Sequence, residues 1–132
     1  MATDLLPSQL IGIPSIDYEH QALIDHLDRL IRNPSNLPVH ENISEILSHL
    51  MWLMLDHFQN EEKIMKALPM PAEVFARHVD AHQQIIEQMT MLSFDLTTSK
   101  PIDKAAVASM VRHWIIDHLL EHDLNIRQYI PA

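Results

Sequence analysis

Cysteine is absent from this chain of 132 residues, which excludes disulfide bonds, thiolate metal sites and a catalytic thiol. Glycine occurs only at Gly12, and because strand-rich folds need more glycine at their turns, this scarcity favours helices. Lysine and arginine number 9 against 18 acidic residues. Since phosphate groups are bound by clusters of basic residues, we expect no nucleic-acid partner and no anionic membrane partner.

Long hydrophobic runs are also missing. None approaches the roughly 20 residues that a membrane-spanning helix requires, so we expect no membrane insertion. The first basic residue is Arg29, so the basic start of a signal peptide is lacking. These absences predict a cytoplasmic protein, and the length predicts a single domain over residues 1–132.

Four stretches with apolar residues at helical spacing are separated by proline-bearing breaks. The first follows IGIPSID, and the second runs from about Val39 to Ala67. The third begins near Pro71 and continues to about Leu96, and the fourth starts near Ile102. The short connections predict an all-α fold, an antiparallel up-down-up-down four-helix bundle. Most methionines, together with Trp52 and Trp114, are interpreted as core residues.

Histidine is over-represented, with ten residues in the chain. On the second predicted helix His57 lies four residues before Glu61, and on the third His78 lies four residues before His82, so each pair shares a helix face. Both pairs lie within apolar periodicity, where a polar side chain without a partner is costly. A metal ion would satisfy them.

The first and fourth predicted helices add further candidates. His20 lies one turn before an apolar stripe, and His118 lies on the stripe of the fourth helix. Either His122 or Asp123 could accompany His118; periodicity alone favours His122.

Taken singly, most of these histidines fit an ordinary surface or core role, and an isolated i,i+4 pair contributes only about 0.2–0.5 kcal/mol. All four helices nevertheless carry histidine beside an apolar stripe, and this joint pattern favours a metal site. Imidazole and carboxylate without sulfur suit iron, zinc, copper or manganese. The candidates are too many for one ion, so two ions bridged by carboxylates fit better. The unpaired histidines are interpreted as solvated or rim residues; they are His26, His40, His49 and His113.

The segments IGIPSIDYEH, HFQNEEKIM, HVDAH and HWIIDHLLEHD occur in this order between residues 11 and 123. Together, on four predicted helices, they resemble the hemerythrin family and specifically the bacterial hemerythrins. The resemblance implies two iron ions, cycling between Fe²⁺ and Fe³⁺, with an oxo or hydroxo bridge. The implied ligands of the first iron are His78, His82 and His118, those of the second are His20 and His57, and the bridging carboxylates are Glu61 and Asp123. It therefore selects Asp123 over His122. Glu62 is rotated about 100° around the helix from Glu61 and is interpreted as a solvated neighbour.

The function implied by the resemblance is reversible dioxygen binding at the open position of the two-histidine iron, for carriage, storage or delivery, without enzymatic activity. Three apolar residues match positions where the family lines its oxygen pocket, although plain core packing explains them equally well; they are Trp114, Ile115 and Leu119. The alternatives are an oxygen or redox sensor, and an oxidase, peroxidase or nitric-oxide-handling enzyme. An electron donor or an oxygen-consuming protein would be a fitting partner.

Overall fold

The structure, a computed structural model, describes residues 6–31, 39–97 and 103–131. Its described part is all-helical and forms the expected four-helix bundle. The long helices are α1 (Pro14–Ile31), α2 (Val39–Lys66) and α3 (Ala72–Thr97). The fourth side of the bundle consists of α4 (Lys104–Arg112), a π-helical turn (His113–Asp117), α5 (His118–Glu121) and a 3-10 helix (Asp123–Tyr129), and a further 3-10 turn (Pro7–Gln9) precedes α1.

The fourth side differs from the sequence-based prediction of one continuous helix. Ile102, where that helix was predicted to start, lies outside the described residues. Asp103 caps α4 instead, because its side chain accepts hydrogen bonds from the backbone N–H groups of Ala105 and Ala106 at 3.0 and 3.4 Å. The π-helical turn then interrupts the α-helical register before α5 begins.

The segment before α1 explains the IGIPSID motif. Gly12 has a φ of 96°, a left-handed conformation that favours glycine. Pro14 occupies the first helical position, where its missing N–H costs nothing. The Asp17 carboxylate accepts hydrogen bonds from the N–H groups of Ile11 and Gly12, at 2.7 and 3.1 Å. These contacts fix the entry of the chain into the helix that carries His20.

Two apolar clusters fill the bundle, one toward each end. The larger includes Leu23, Phe58 and Ile85, and the smaller is built on Ile16, Met65 and their neighbours. The clusters are separated by about two helical turns, from Ile16 to Leu23 on α1 and from Phe58 to Met65 on α2, and His20 and Glu61 lie within these intervals. Burial of the two clusters therefore holds a polar layer between them.

Two aspects of the predicted core need correction. Trp52 is 74 % exposed, so it is not a core residue. Of the methionines, Met54, Met65 and Met89 are buried, but Met91 is 68 % exposed. None of the helices in the described ranges is both long and apolar enough to cross a bilayer.

Candidate metal centre

Seven polar side chains are buried in the layer between the two apolar clusters, and they come from all four sides of the bundle. They are His20 on α1, His57 and Glu61 on α2, His78 and His82 on α3, and His118 and Asp123 on the C-terminal segment. Every predicted metal ligand therefore lies in one buried layer.

The ligand atoms form two groups, each with all its atoms within 4.8 Å of one another. One group contains three imidazoles and the other contains two, and both contain the same pair of carboxylates. The three-histidine group is His78, His82 and His118, and the two-histidine group is His20 and His57, each completed by Glu61 and Asp123. Such a shared pair has the chemistry of two bridging ligands between neighbouring cations.

Glu61 contacts four imidazoles. Its Oε1 lies 2.8 Å from His78 Nε2 and 3.0 Å from His82 Nε2. Its Oε2 lies 3.2 Å from His57 Nε2 and 3.6 Å from His20 Nε2. The carboxylate thus reaches both histidine groups with separate oxygens.

Asp123 approaches both groups from the opposite side of the bundle. Its Oδ1 lies 2.8 Å from His78 Nε2 and 3.0 Å from His118 Nε2, and its Oδ2 lies 2.9 Å from His20 Nε2. Asp123 can do so because α5 ends at Glu121, and His122, with φ −121° and ψ −54°, departs from helical geometry. The next residue then turns into the bundle, and His122 is left half-exposed, contrary to the periodicity of a regular helix.

Several buried atoms of this layer lack a partner with hydrogen-bond geometry, although all but the Nδ1 of His20 lie within 3.6 Å of a carboxylate oxygen or an imidazole nitrogen. They are both ring nitrogens of His20, Nε2 of His57 and of His118, and Oε2 of Glu61. Burial of polar atoms without hydrogen bonds is unfavourable, and each of these atoms belongs to a residue of one of the two groups. The donor set of imidazole nitrogen and carboxylate oxygen suits a transition-metal cation, which would satisfy these atoms. The residues present therefore fit a metal pair.

Comparison with known proteins agrees with this arrangement. Residues 11–130 match the family model described as the hemerythrin HHE cation-binding domain. The chain belongs to the hemerythrin family. Neither the curated proteins nor the solved structures that were searched contain a match to it. In this hemerythrin-family chain, the matched region includes all seven residues of the buried layer.

The pKa values of the ionisable groups in the buried layer follow from burial and charge. Burial opposes protonation of His57, but the charge of Glu61 and a hydrogen bond to Glu19 outweigh it and raise the pKa of His57 to about 10. Similarly, contacts with Asp123 and Glu61 overcome burial and raise the pKa of His78 to about 9. For Glu61 and Asp123, burial favours the protonated form, yet the surrounding histidines hold the pKa of both carboxyls well below their usual values. Without metal, protons on these histidines balance the two carboxylates.

Two further carboxylates orient ligand histidines from outside the layer. The Nδ1–H of His57 donates to Glu19 Oε1 at 2.8 Å, and Asn60 donates to the same oxygen at 3.0 Å. The Nδ1–H of His82 donates to Glu62 Oε2 at 2.8 Å. The prediction that Glu62 is a solvated neighbour is therefore wrong. Both carboxylates were missed because each contacts a histidine on another helix, which the periodicity of a single helix does not reveal.

The three predicted pocket residues are among the apolar side chains near the buried layer. Trp114, Ile115 and Leu119 are all buried, and the first two belong to the larger apolar cluster. The indole N–H of Trp114 donates to Gln88 Oε1 at 2.6 Å. Phe58 stacks on His82 with ring centroids 4.0 Å apart. An apolar ring therefore contacts the layer at His82, and the assignment of an oxygen pocket stays a prediction.

The remaining histidines lie outside both ligand groups. The rings of His26 and His49 meet edge to face, with centroids 4.7 Å apart. His113, which is exposed, donates from Nδ1 to Asp117 Oδ2 at 2.7 Å. The side chain of His40 lies outside the described residues.

Proposed function

We propose that this hemerythrin-family protein binds dioxygen reversibly at a pair of iron ions held by the buried layer. The observation that supports this proposal most directly is the pair of ligand groups that share Glu61 and Asp123. In the proposed centre, one iron is held by the three-histidine group and the other by the two-histidine group, with the two carboxylates common to both. Ferrous iron supplies the electrons that dioxygen needs for binding and recovers them on its release.

The unequal histidine count gives the two positions different roles. The two-histidine group offers His20 and His57, one imidazole fewer than its neighbour. A cation held there would have one protein ligand fewer than its neighbour, and a position with fewer protein ligands can bind an external ligand. We therefore assign dioxygen binding to the side of the layer formed by α1 and α2.

The chain's own residues contribute orientation at both positions. Glu19 and Glu62 accept hydrogen bonds from Nδ1 of His57 and His82, respectively, which directs the Nε2 atoms toward the layer. Carboxylates in this position fix the ring tautomer and increase the basicity of the ligating nitrogen. Each imidazole is thus prepared to bind a cation before the cation arrives.

The larger apolar cluster limits the contact of the layer with water on one side. Phe58 stacks on the ring of His82 and shares that cluster with the buried Trp114 and Ile115. A pocket without water supplies no protons to reduced oxygen species, so release of intact dioxygen is favoured over further reduction. The histidine-rich ligand set agrees with this role, because carboxylate-rich centres stabilise the more oxidised iron that oxidative enzymes use.

The test is repeated exposure of the anaerobic ferrous protein to dioxygen and then to argon, followed by visible absorption. We expect a new absorption band that appears with dioxygen and disappears under argon over several cycles. Irreversible oxidation on first exposure, with continued consumption of an added reductant, would instead indicate an enzyme or a redox sensor. His57→Ala is expected to abolish the reversible change, whereas His113→Ala, which removes an exposed histidine outside both groups, should retain it.

A further inference from the structure

The seam between α3 and the C-terminal helices is the loosely packed side of the described bundle. The backbone of α2 lies close to both α1 and α3, and α1 lies close to α4. Few backbone positions of α3 lie close to α4, α5 or the segments beside them. Two cavities lie along this seam near the layer, with volumes of about 340 and 90 Å³. The larger reaches His78, and the smaller reaches His118. Both therefore touch the three-histidine group.

Glu121 and His122 line both cavities. The ring of His122 lies with its centroid 5.1 Å from that of His118 and 5.7 Å from that of His78. It is half-exposed, and Glu121 is exposed. One imidazole and one carboxylate therefore stand between solvent and the three-histidine group, although neither belongs to a ligand group.

We propose that the smaller cavity is the route by which a divalent cation reaches the buried layer, with Glu121 and His122 as transient ligands on the way. The larger cavity is lined by Arg77, whose positive charge opposes a cation, whereas the smaller one has no lysine or arginine among its lining residues. The exposed His113 also lines the smaller cavity and pairs with Asp117 at 2.7 Å. Exposed imidazole and carboxylate groups therefore line the same cavity as the buried His118.

The smaller cavity offers the transient ligands that this route needs. Its volume is about 90 Å³, and it is lined by the imidazole of His122 and the carboxylate of Glu121. A cation that enters can exchange part of its water for these groups. Glu121 offers the negative charge that draws a cation inward, and His122 offers an imidazole next to His118, its final ligand.

The proposal rests on the proposed iron centre, and its test separates the two. The protein is loaded with Fe²⁺ without oxygen, its iron content is measured, and the rate of iron release to the chelator ferrozine is then followed. Release is measured for Glu121→Gln and His122→Phe, which keep the approximate shape of the side chains but remove the charge and the ligand. Glu45→Gln and His49→Phe are matched controls, because they make the same changes at exposed positions on α2, outside the seam.

We expect both seam variants to bind as much iron as the wild type but to release it at least about tenfold more slowly, since charged clefts change ion access rates by factors of this order. The controls should stay within about twofold of the wild type, because solvent screens distant exposed charges. Release rates of the seam variants equal to those of the controls would overturn the route. Reduced iron content in the seam variants would also overturn it, because Glu121 or His122 would then be a permanent ligand. Failure of the wild type to bind iron would refute the proposed centre itself.

Discussion

Glu61→Gln is the substitution that most severely perturbs the buried layer while keeping the side-chain volume. Glu61 is completely buried and lies within 3.6 Å of the imidazole nitrogens of His20, His57, His78 and His82. Removing one partner from a buried ion pair typically costs about 3–5 kcal/mol. For a chain of this length, that cost lowers Tm by roughly 10–20 °C. Asp56→Asn makes the same chemical change at an exposed position of α2, so it should alter stability by no more than about 0.5 kcal/mol.

The destabilisation by Glu61→Gln should depend on pH in the metal-free protein. The pKa of Glu61 is lowered by its neighbours, so its contribution is present above its ordinary pKa near 4.5 and is lost as pH falls through the folded-state value. The histidines have raised pKa values, so their contribution is complete below about 6.5. It is lost as pH rises through about 9 for His78 and about 10 for His57. The free-energy difference from wild type should therefore be largest between about pH 5 and 6.5, decline as pH rises further, and be smallest above pH 10.

Chemical denaturation monitored by circular dichroism measures this difference at each pH. The experiment uses metal-free protein in a chelating buffer, so that metal binding does not contribute to the measured stability. A loss below about 1 kcal/mol at pH 7, or a loss of equal size at pH 7 and pH 10.5, would refute the inference that protonated histidines balance Glu61 in the metal-free layer.

Three further predictions concern metal binding, a helix cap and the core. Iron binding at pH 7 should release at least two protons, because His57 and His78 have pKa values of about 10 and 9 and must lose their protons to bind metal. Calorimetry in buffers of different ionisation enthalpy measures this release, and equal heats of binding in all buffers would contradict it. Asp103→Ala should lower stability by about 1 kcal/mol through loss of the α4 cap, and Asp103→Asn, which retains an acceptor, should recover most of it. Leu50→Ala should lower the free energy of unfolding by about 2–5 kcal/mol, because Leu50 is fully buried. Trp52→Ala on the same helix should have little effect, because Trp52 is exposed. Similar losses of stability for both variants would contradict the observed burial.

The extent of α2 and the start of α3 could be predicted from sequence because local chemistry sets them. Pro71 precedes the first residue of α3, and its carbonyl accepts hydrogen bonds from Val74 and Phe75 at 3.0 and 3.1 Å. The prediction for the first helix was wrong by about one turn, because α1 begins at Pro14, inside the IGIPSID stretch that it was predicted to follow. The interruption of the fourth helix could not be predicted, because the π-helical turn contains no proline or glycine that would mark it, and its residues pack against α1, which is distant in sequence. Trp52 was misplaced because periodicity identifies an apolar side chain without showing whether a neighbour covers it.

In the candidate site, too, features set within one helix could be predicted, whereas contacts between distant segments could not. The i,i+4 pairs on α2 and α3 could be recognised because both members lie on one helix face. Asp123 departs from that rule, since the chain leaves helical geometry at His122, and only the family resemblance indicated it. The contact of Glu19 with His57 joins residues 38 positions apart, which no periodicity within one helix encodes.

The central claim is that the buried layer holds two cations that share Glu61 and Asp123. The most direct test is the iron content per chain after anaerobic loading with Fe²⁺ and removal of unbound metal. We predict two irons per chain, one for each of the two ligand groups. A content of one iron, or of none, in correctly folded protein would contradict the claim.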